Sequence, residues 1–121
     1  MSYNVLIVDY QALPRQYFEN IVNNSEIYSL VAAISSAKVA DACCINRKVD
    51  LILMDIQLPD INGYDVTQQI RTFNTNVPII AQTAYAMYAD VVKALDSGCN
   101  DFIAKPIKLK KMMSLLEKYL G

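Results

Sequence analysis

The stretch Leu51-Ile-Leu-Met-Asp55 decides how this chain is read. Four apolar residues run without interruption and end on a carboxylate. A run of this kind suits a strand buried on both faces, which is the habit of parallel sheets. The pattern recurs on either side of it, at Val5 to Val8, Leu30 to Ile34 and Val77 to Ala81, and in shorter form at Phe102 to Ala104. Between these runs the apolar spacing turns helical. Phe18, Ile21 and Val22 make a first stripe, and Val39 and Cys43 a second. Val66, Ile70 and Phe73 make a third, and Met87, Val91, Ala94 and Leu95 a fourth. Leu109, Met112, Met113, Leu116 and Leu120 make the last. Each spacing fits a helix with one buried face. Pro14 suits a first helical turn, Ser35 or Ser36 a helix cap, and Gly98 a helix end. Five strands alternating with five helices predict right-handed crossovers and a doubly wound α/β sheet with helices on both faces. With no repeat, linker or low-complexity segment, residues 1–121 read as one domain.

Composition narrows the function. Hydrophobic residues make up 54% of the 121 and charged residues 19%, enough for a packed core. A net charge of −1 argues against direct nucleic-acid binding, which wants a basic stripe. Lys108, Lys110 and Lys111 are too short a run for one. No apolar stretch approaches the roughly 20 residues that cross a bilayer, and Met1-Ser2-Tyr3-Asn4 lacks the start of a signal peptide. Three cysteines, two of them adjacent at Cys43 and Cys44, match neither a disulfide framework nor a zinc spacing. They read as small buried hydrophobes in a reducing, cytoplasmic compartment. The absence of histidine excludes His-based metal sites, Ser/His and Cys/His catalysis, and autophosphorylation on histidine.

In an open α/β sheet, ligands gather at the carboxyl ends of the strands. The polar residues that follow the apolar runs are Asp9, Ser35, Asp55, Gln82 with Thr83, and Lys105 with Pro106. Ser35 would fall to one side, on an edge strand. The others bring two carboxylates, a hydroxyl and an ammonium to one sheet edge. A carboxylate can attack phosphorus to form an acyl phosphate. A second one can hold Mg²⁺, which prefers oxygen ligands. Lysine supplies positive charge to phosphoryl oxygens, and threonine can donate a hydrogen bond to them. Any one of these alone reads as a turn residue or cap. Four at the ends of the right strands point to a phosphoryl site.

At these residues the chain resembles a response-regulator receiver domain over essentially its whole length. The segments that carry the likeness are Val5-Leu-Ile-Val-Asp9, Met54-Asp-Ile-Gln-Leu-Pro-Asp-Ile-Asn-Gly63, Pro78-Ile-Ile-Ala-Gln-Thr-Ala84 and Asp101-Phe-Ile-Ala-Lys-Pro106. The second is the most specific, and the Gln-Thr-Ala stretch is most similar to receivers in or beside hybrid sensor kinases. The resemblance implies a flavodoxin-like sheet of order 2-1-3-4-5. It implies that Asp55 is phosphorylated and that Asp9, Asp55 and the Gln57 backbone carbonyl hold Mg²⁺. Thr83 and Lys105 would contact the phosphoryl group, and a cis bond before Pro106 would aim Lys105 into the site. Thr83 and Phe102 would form the switch that re-shapes the face of the fourth helix, fifth strand and fifth helix for a downstream protein. The phosphodonor would be a histidine kinase or phosphotransfer protein. The domain would be a signalling phosphoacceptor assisting its own phosphotransfer and dephosphorylation rather than an enzyme. Lys108, Lys110 and Lys111 would be able to pair with acidic groups across a homodimer of identical faces.

One departure stands out. The family has two consecutive acidic residues after the first strand, and here the pair is Asp9-Tyr10. A phenol is neutral at pH 7 and a poor carboxylate substitute, so Mg²⁺ binding should weaken and repulsion in the metal-free site should ease. Two outcomes stay open. Either Asp9 takes over as ligand in a slower phosphoacceptor, or the chain is a phosphorylation-independent interaction module. Gln57 and Tyr85 hold positions that tune phosphoryl lifetime in the family, and Tyr85 would shield an acyl phosphate from water. Aspartate-nucleophile phosphatases want a second acid where Gln57 stands, and a flavin-binding domain wants glycines in the Asp9 to Pro14 loop, which has none.

Overall fold

Apolar runs that cannot satisfy their backbone alone must pair with one another, and they do so in one sheet. The computed structural model describes residues 3–9, 11–34, 48–58, 62–83 and 88–120. The strands are β1 (Tyr3–Val8), β2 (Tyr28–Ile34), β3 (Leu51–Asp55), β4 (Ile79–Thr83) and β5 (Asp101–Ala104). They pair in parallel in the order β2-β1-β3-β4-β5, as expected. Every residue of β3 is buried, as its central position requires. Each fully buried Leu or Ile there contributes roughly 2 kcal/mol.

Four helices lie among the described residues: α1 (Ala12–Asn23), α2 (Gly63–Arg71), α3 (Tyr88–Ser97) and α4 (Leu109–Leu120). The expected helix at Val39 and Cys43, its cap at Ser35 or Ser36, and Cys44 lie outside them. The strands' alternation splits the core in two. Leu6, Val8, Ile52, Met54, Ile79 and Ala81 pack against Val66 and Ile70 of α2 and Ala94 of α3. Val5, Ile7, Leu53, Ile80 and Ile103 pack against Phe18 and Val22 of α1 and Met112, Leu115 and Leu116 of α4. Helices therefore cover both faces, as a doubly wound sheet demands.

Several stripe residues do not reach the core. α2 ends at Arg71, and Phe73 and Asn74 both turn their N–H groups back to the Ile70 carbonyl, so Phe73 leaves the helical face and is exposed. On α3 the core takes Ala94 and Ser97, which leaves Leu95 on the outer side. Leu109 starts α4 in solvent, whereas Leu115, absent from the expected stripe, is buried. β4 begins after Pro78 rather than at Val77, which makes Thr83 a strand residue. Gly98 ends α3 with φ +113°, a left-handed conformation that a side chain would strain. Cys99 is buried and free, in agreement with the hydrophobe reading.

Candidate phosphoryl site

Continuing the two-residue period of the strands puts Asp9, Asp55, Gln82 and Lys105 on the sheet face toward α1 and α4. Thr83 falls on the other face, in step with Ile79 and Ala81. Phe102, the register partner of Ala81, packs half-buried against the same cluster. The carboxyl edge of the sheet thus carries its charges on one side and its expected switch pair on the other.

Asp9 and Asp55 are both fully buried. The Lys105 ammonium lies 3.2 Å from Asp55 Oδ2 and 3.9 Å from Asp9 Oδ2. The peptide bond between Lys105 and Pro106 is cis, and the Lys105 N–H donates to the Thr83 carbonyl at 2.8 Å, tying the two strand ends together. The Gln57 N–H donates to Asp55 Oδ1 at 3.0 Å, fixing one oxygen of the carboxylate. Gly63 fixes the other side of this turn. Its N–H donates to the Ile56 carbonyl at 2.8 Å, and a Cβ there would sit 2.5 Å from the Asp55 carbonyl oxygen. Only glycine lets α2 start this close to the end of β3, which gives the last residue of the Met54 to Gly63 segment a physical reason.

The pair of carboxylates is under electrostatic strain. Burial pushes the Asp9 carboxyl up from its ordinary range to about 6, and the nearby Asp55 charge adds to this. The Gln11 N–H, which donates to Asp9 Oδ1 at 3.0 Å, and the Lys105 ammonium hold the rise back. Among the described residues Asp9 Oδ2 and Asp55 Oδ2 have no hydrogen-bond partner, the lysine contact to Asp55 being an ion pair without hydrogen-bond alignment. Two buried, unpartnered carboxylate oxygens beside one another are a donor set that a hard divalent cation fits. Among the described residues no third acidic, Cys or His side chain joins them.

Of the residues singled out from sequence, Asp9, Asp55 and Lys105 come together, with Gln57 and Thr83 at the adjoining strand ends. Tyr10 and Tyr85 lie outside the described residues. Three participants went unassigned. Gln11 bridges the site, accepting from the Lys105 ammonium at 3.4 Å while its N–H holds Asp9. Arg15 donates to the Asp9 carbonyl at 2.8 Å. Gln82 is fully buried, with both carboxamide atoms unpartnered among the described residues. The sequence places Gln82 directly after the fourth apolar run, at the carboxyl edge, but gives it no role. Gln11 and Arg15 carry no signal, because helix starts are commonly polar.

The chain matches the family model described as the response regulator receiver domain over residues 5–117. It is 32% identical to the polar-differentiation response regulator DivK of Brucella anthropi, over 100% of this chain and 98% of that protein. Among solved structures, it is similar to the receiver domain of a Pseudomonas aeruginosa sensor histidine kinase with a magnesium ion coordinated in the active site cleft. There the TM-score is 0.89 and the identity 29%, covering 100% of this chain and 99% of that one. It is likewise similar to the Saccharomyces cerevisiae co-crystal of the histidine phosphotransfer protein Ypd1 with the receiver domain of Ssk1. That match has TM-score 0.88 and 29% identity, covering 98% and 88% of the two chains.

Proposed function

The chain belongs to the response-regulator receiver family, and from that premise we propose that it accepts a phosphoryl group on Asp55 in a two-component phosphorelay. The observation that carries the reading is the lysine ammonium 3.2 Å from one buried carboxylate and 3.9 Å from a second, at the carboxyl edge of the sheet. A carboxylate oxygen of Asp55 forms a bond to phosphorus as the bond between phosphorus and the donor's imidazole nitrogen breaks. The leaving imidazole then takes a proton from solvent. Lys105 receives the charge of the phosphoryl oxygens, and the Gln57 N–H keeps the carboxylate aligned. Asp9, Asp55 and the Gln57 carbonyl would hold Mg²⁺, which when bound neutralises phosphoryl charge. In this reading Gln11 keeps Lys105 within reach before the phosphoryl group arrives.

Thr83 and Phe102 then act as the switch. Both belong to the sheet face covered by α2 and α3, so movement of Thr83 toward the phosphoryl group opens space that Phe102 can enter. The outcome is a re-shaped surface over α3, β5 and α4, the face expected to meet a downstream protein or a second copy. The phosphodonor is a histidine kinase or phosphotransfer protein. Tyr85 lengthens the life of the acyl phosphate by shielding it from water.

The test is intact mass after incubation with acetyl phosphate and Mg²⁺, beside Asp55→Asn. A single phosphoryl addition that requires Mg²⁺ and vanishes in the variant is expected. The second reading, a phosphorylation-independent interaction module, is favoured by Tyr10 and by the presence of only two acids in the described site. It wins if no addition occurs and beryllofluoride leaves the spectrum of the wild type unchanged.

A further inference from the structure

Four buried side-chain atoms lack a hydrogen-bond partner among the described residues: Asp9 Oδ2, Asp55 Oδ2, and Nε2 and Oε1 of Gln82. They belong to three residues on one face of the sheet, and the Cα of Gln82 is the register partner of Asp55. Gln82 is fully buried and follows Ile79, Ile80 and Ala81 in β4. An apolar side chain of the same length would fill its place without a polar penalty, whereas an orphaned amide costs about 1–3 kcal/mol. The carboxylate oxygens only accept, while the carboxamide both donates and accepts. One water suits this set, since it can donate to two of the acceptors and accept from Nε2, and buried waters typically hold two to four such partners.

We propose that Gln82 is a positioning residue of the Asp55 site, its carboxamide holding a buried water that bridges to the unpartnered oxygens of Asp9 and Asp55. The role rests on the proposed phosphoacceptor function. By fixing the water, Gln82 sets the orientation in which the two carboxylates are presented to Mg²⁺, much as hydrogen-bonded groups behind a metal ligand set its direction. It touches neither the phosphoryl group nor the metal.

Two measurements test it. The first is water-to-amide cross-relaxation at the Gln82 side-chain NH₂ in metal-free wild type, where a long-lived water contact is expected. The second is Mg²⁺ titration by calorimetry, comparing wild type with Gln82→Met, which keeps length and removes polarity. Mg²⁺ binding by the variant is expected to weaken about tenfold. A dry amide overturns the proposal. So does an unchanged Mg²⁺ affinity in the variant while wild type binds, which marks Gln82 as an unpaired packing residue. Wild type that shows the bound water but no Mg²⁺ binding refutes the Mg²⁺-dependent phosphoacceptor reading instead, and the positioning role with it.

Discussion

The two edges of the sheet are built on opposite terms. At the amino edge, where β4 and β5 begin, the Arg71 guanidinium donates to the carbonyls of Gly98, Asn74 and Val77 and to Asn100 Oδ1, at 2.7 to 3.2 Å. Asn100 Oδ1 also receives the Ile79 N–H at 2.9 Å, so one side-chain cluster joins the end of α3 to the start of β4. Asp101 lies beside it. Burial pushes its carboxyl up, but hydrogen bonds from Lys118, the Phe102 N–H and Tyr119 outweigh that and hold it below its usual range. At the carboxyl edge, by contrast, Asp9 is pushed up to about 6 and two carboxylate oxygens go without hydrogen bonds. One edge spends its polar groups on stability. The other leaves buried carboxylate oxygens without a hydrogen-bond partner among the described residues, at a cost in stability that the proposed phosphoryl site would turn to use. Polar groups that are mutually satisfied and polar groups that are left strained thus sit at opposite edges of a single fold.

The largest effect is expected from removing the amino-edge clamp. Arg71→Ala leaves several half-buried carbonyls without a donor and should lower unfolding free energy by about 3 kcal/mol, read by chemical denaturation. A loss below about 1 kcal/mol would mean that water replaces the guanidinium and that the edge is not specially held.

A change at the carboxyl edge should have the opposite sign. In metal-free buffer at pH 7.5, Asp9→Asn should stabilise the fold by roughly 1–3 kcal/mol, since the folded carboxyl titrates about two pH units above the unfolded one. The direction follows from proton binding. With the folded value near 6 and the unfolded value near 3.8, the folded state binds the proton more tightly. Wild-type stability therefore rises as pH falls from above 6 toward 3.8, then levels. The variant should lack this slope, and parallel curves would show that Asp9 is not strained.

The smallest effect sharpens the picture at the amino edge. Tyr119 Oη lies 3.0 Å from the Asn100 carbonyl oxygen and 2.9 Å from Asp101 Oδ2. One hydroxyl proton can serve only one of them at a time, so Tyr119→Phe should cost about 1 kcal/mol. It should leave Mg²⁺ affinity unchanged. Altered Mg²⁺ binding would mean that the two edges are energetically coupled.

What was legible in the sequence was whatever depends on a residue's immediate neighbours along the chain. Uninterrupted apolar runs specify buried parallel strands, and the polar residue after each run must emerge at the carboxyl edge, so Asp9, Asp55, Thr83 and Lys105 could be placed from their positions alone. The cis bond before Pro106 came from the family likeness. The tertiary structure alone decided what depends on distance between remote residues. Gln11 meets Lys105 across 94 positions of sequence, and Arg71 meets Gly98 and Asn100 across 27 and 29. Neither pairing has a periodic signal, because nothing local selects a partner that far away. The exposure of Phe73, Leu95 and Leu109, the rise of Asp9 and the isolation of the Gln82 amide belong here too. Each depends on how much water packing leaves around a group, and that is settled only when the helices close over the sheet.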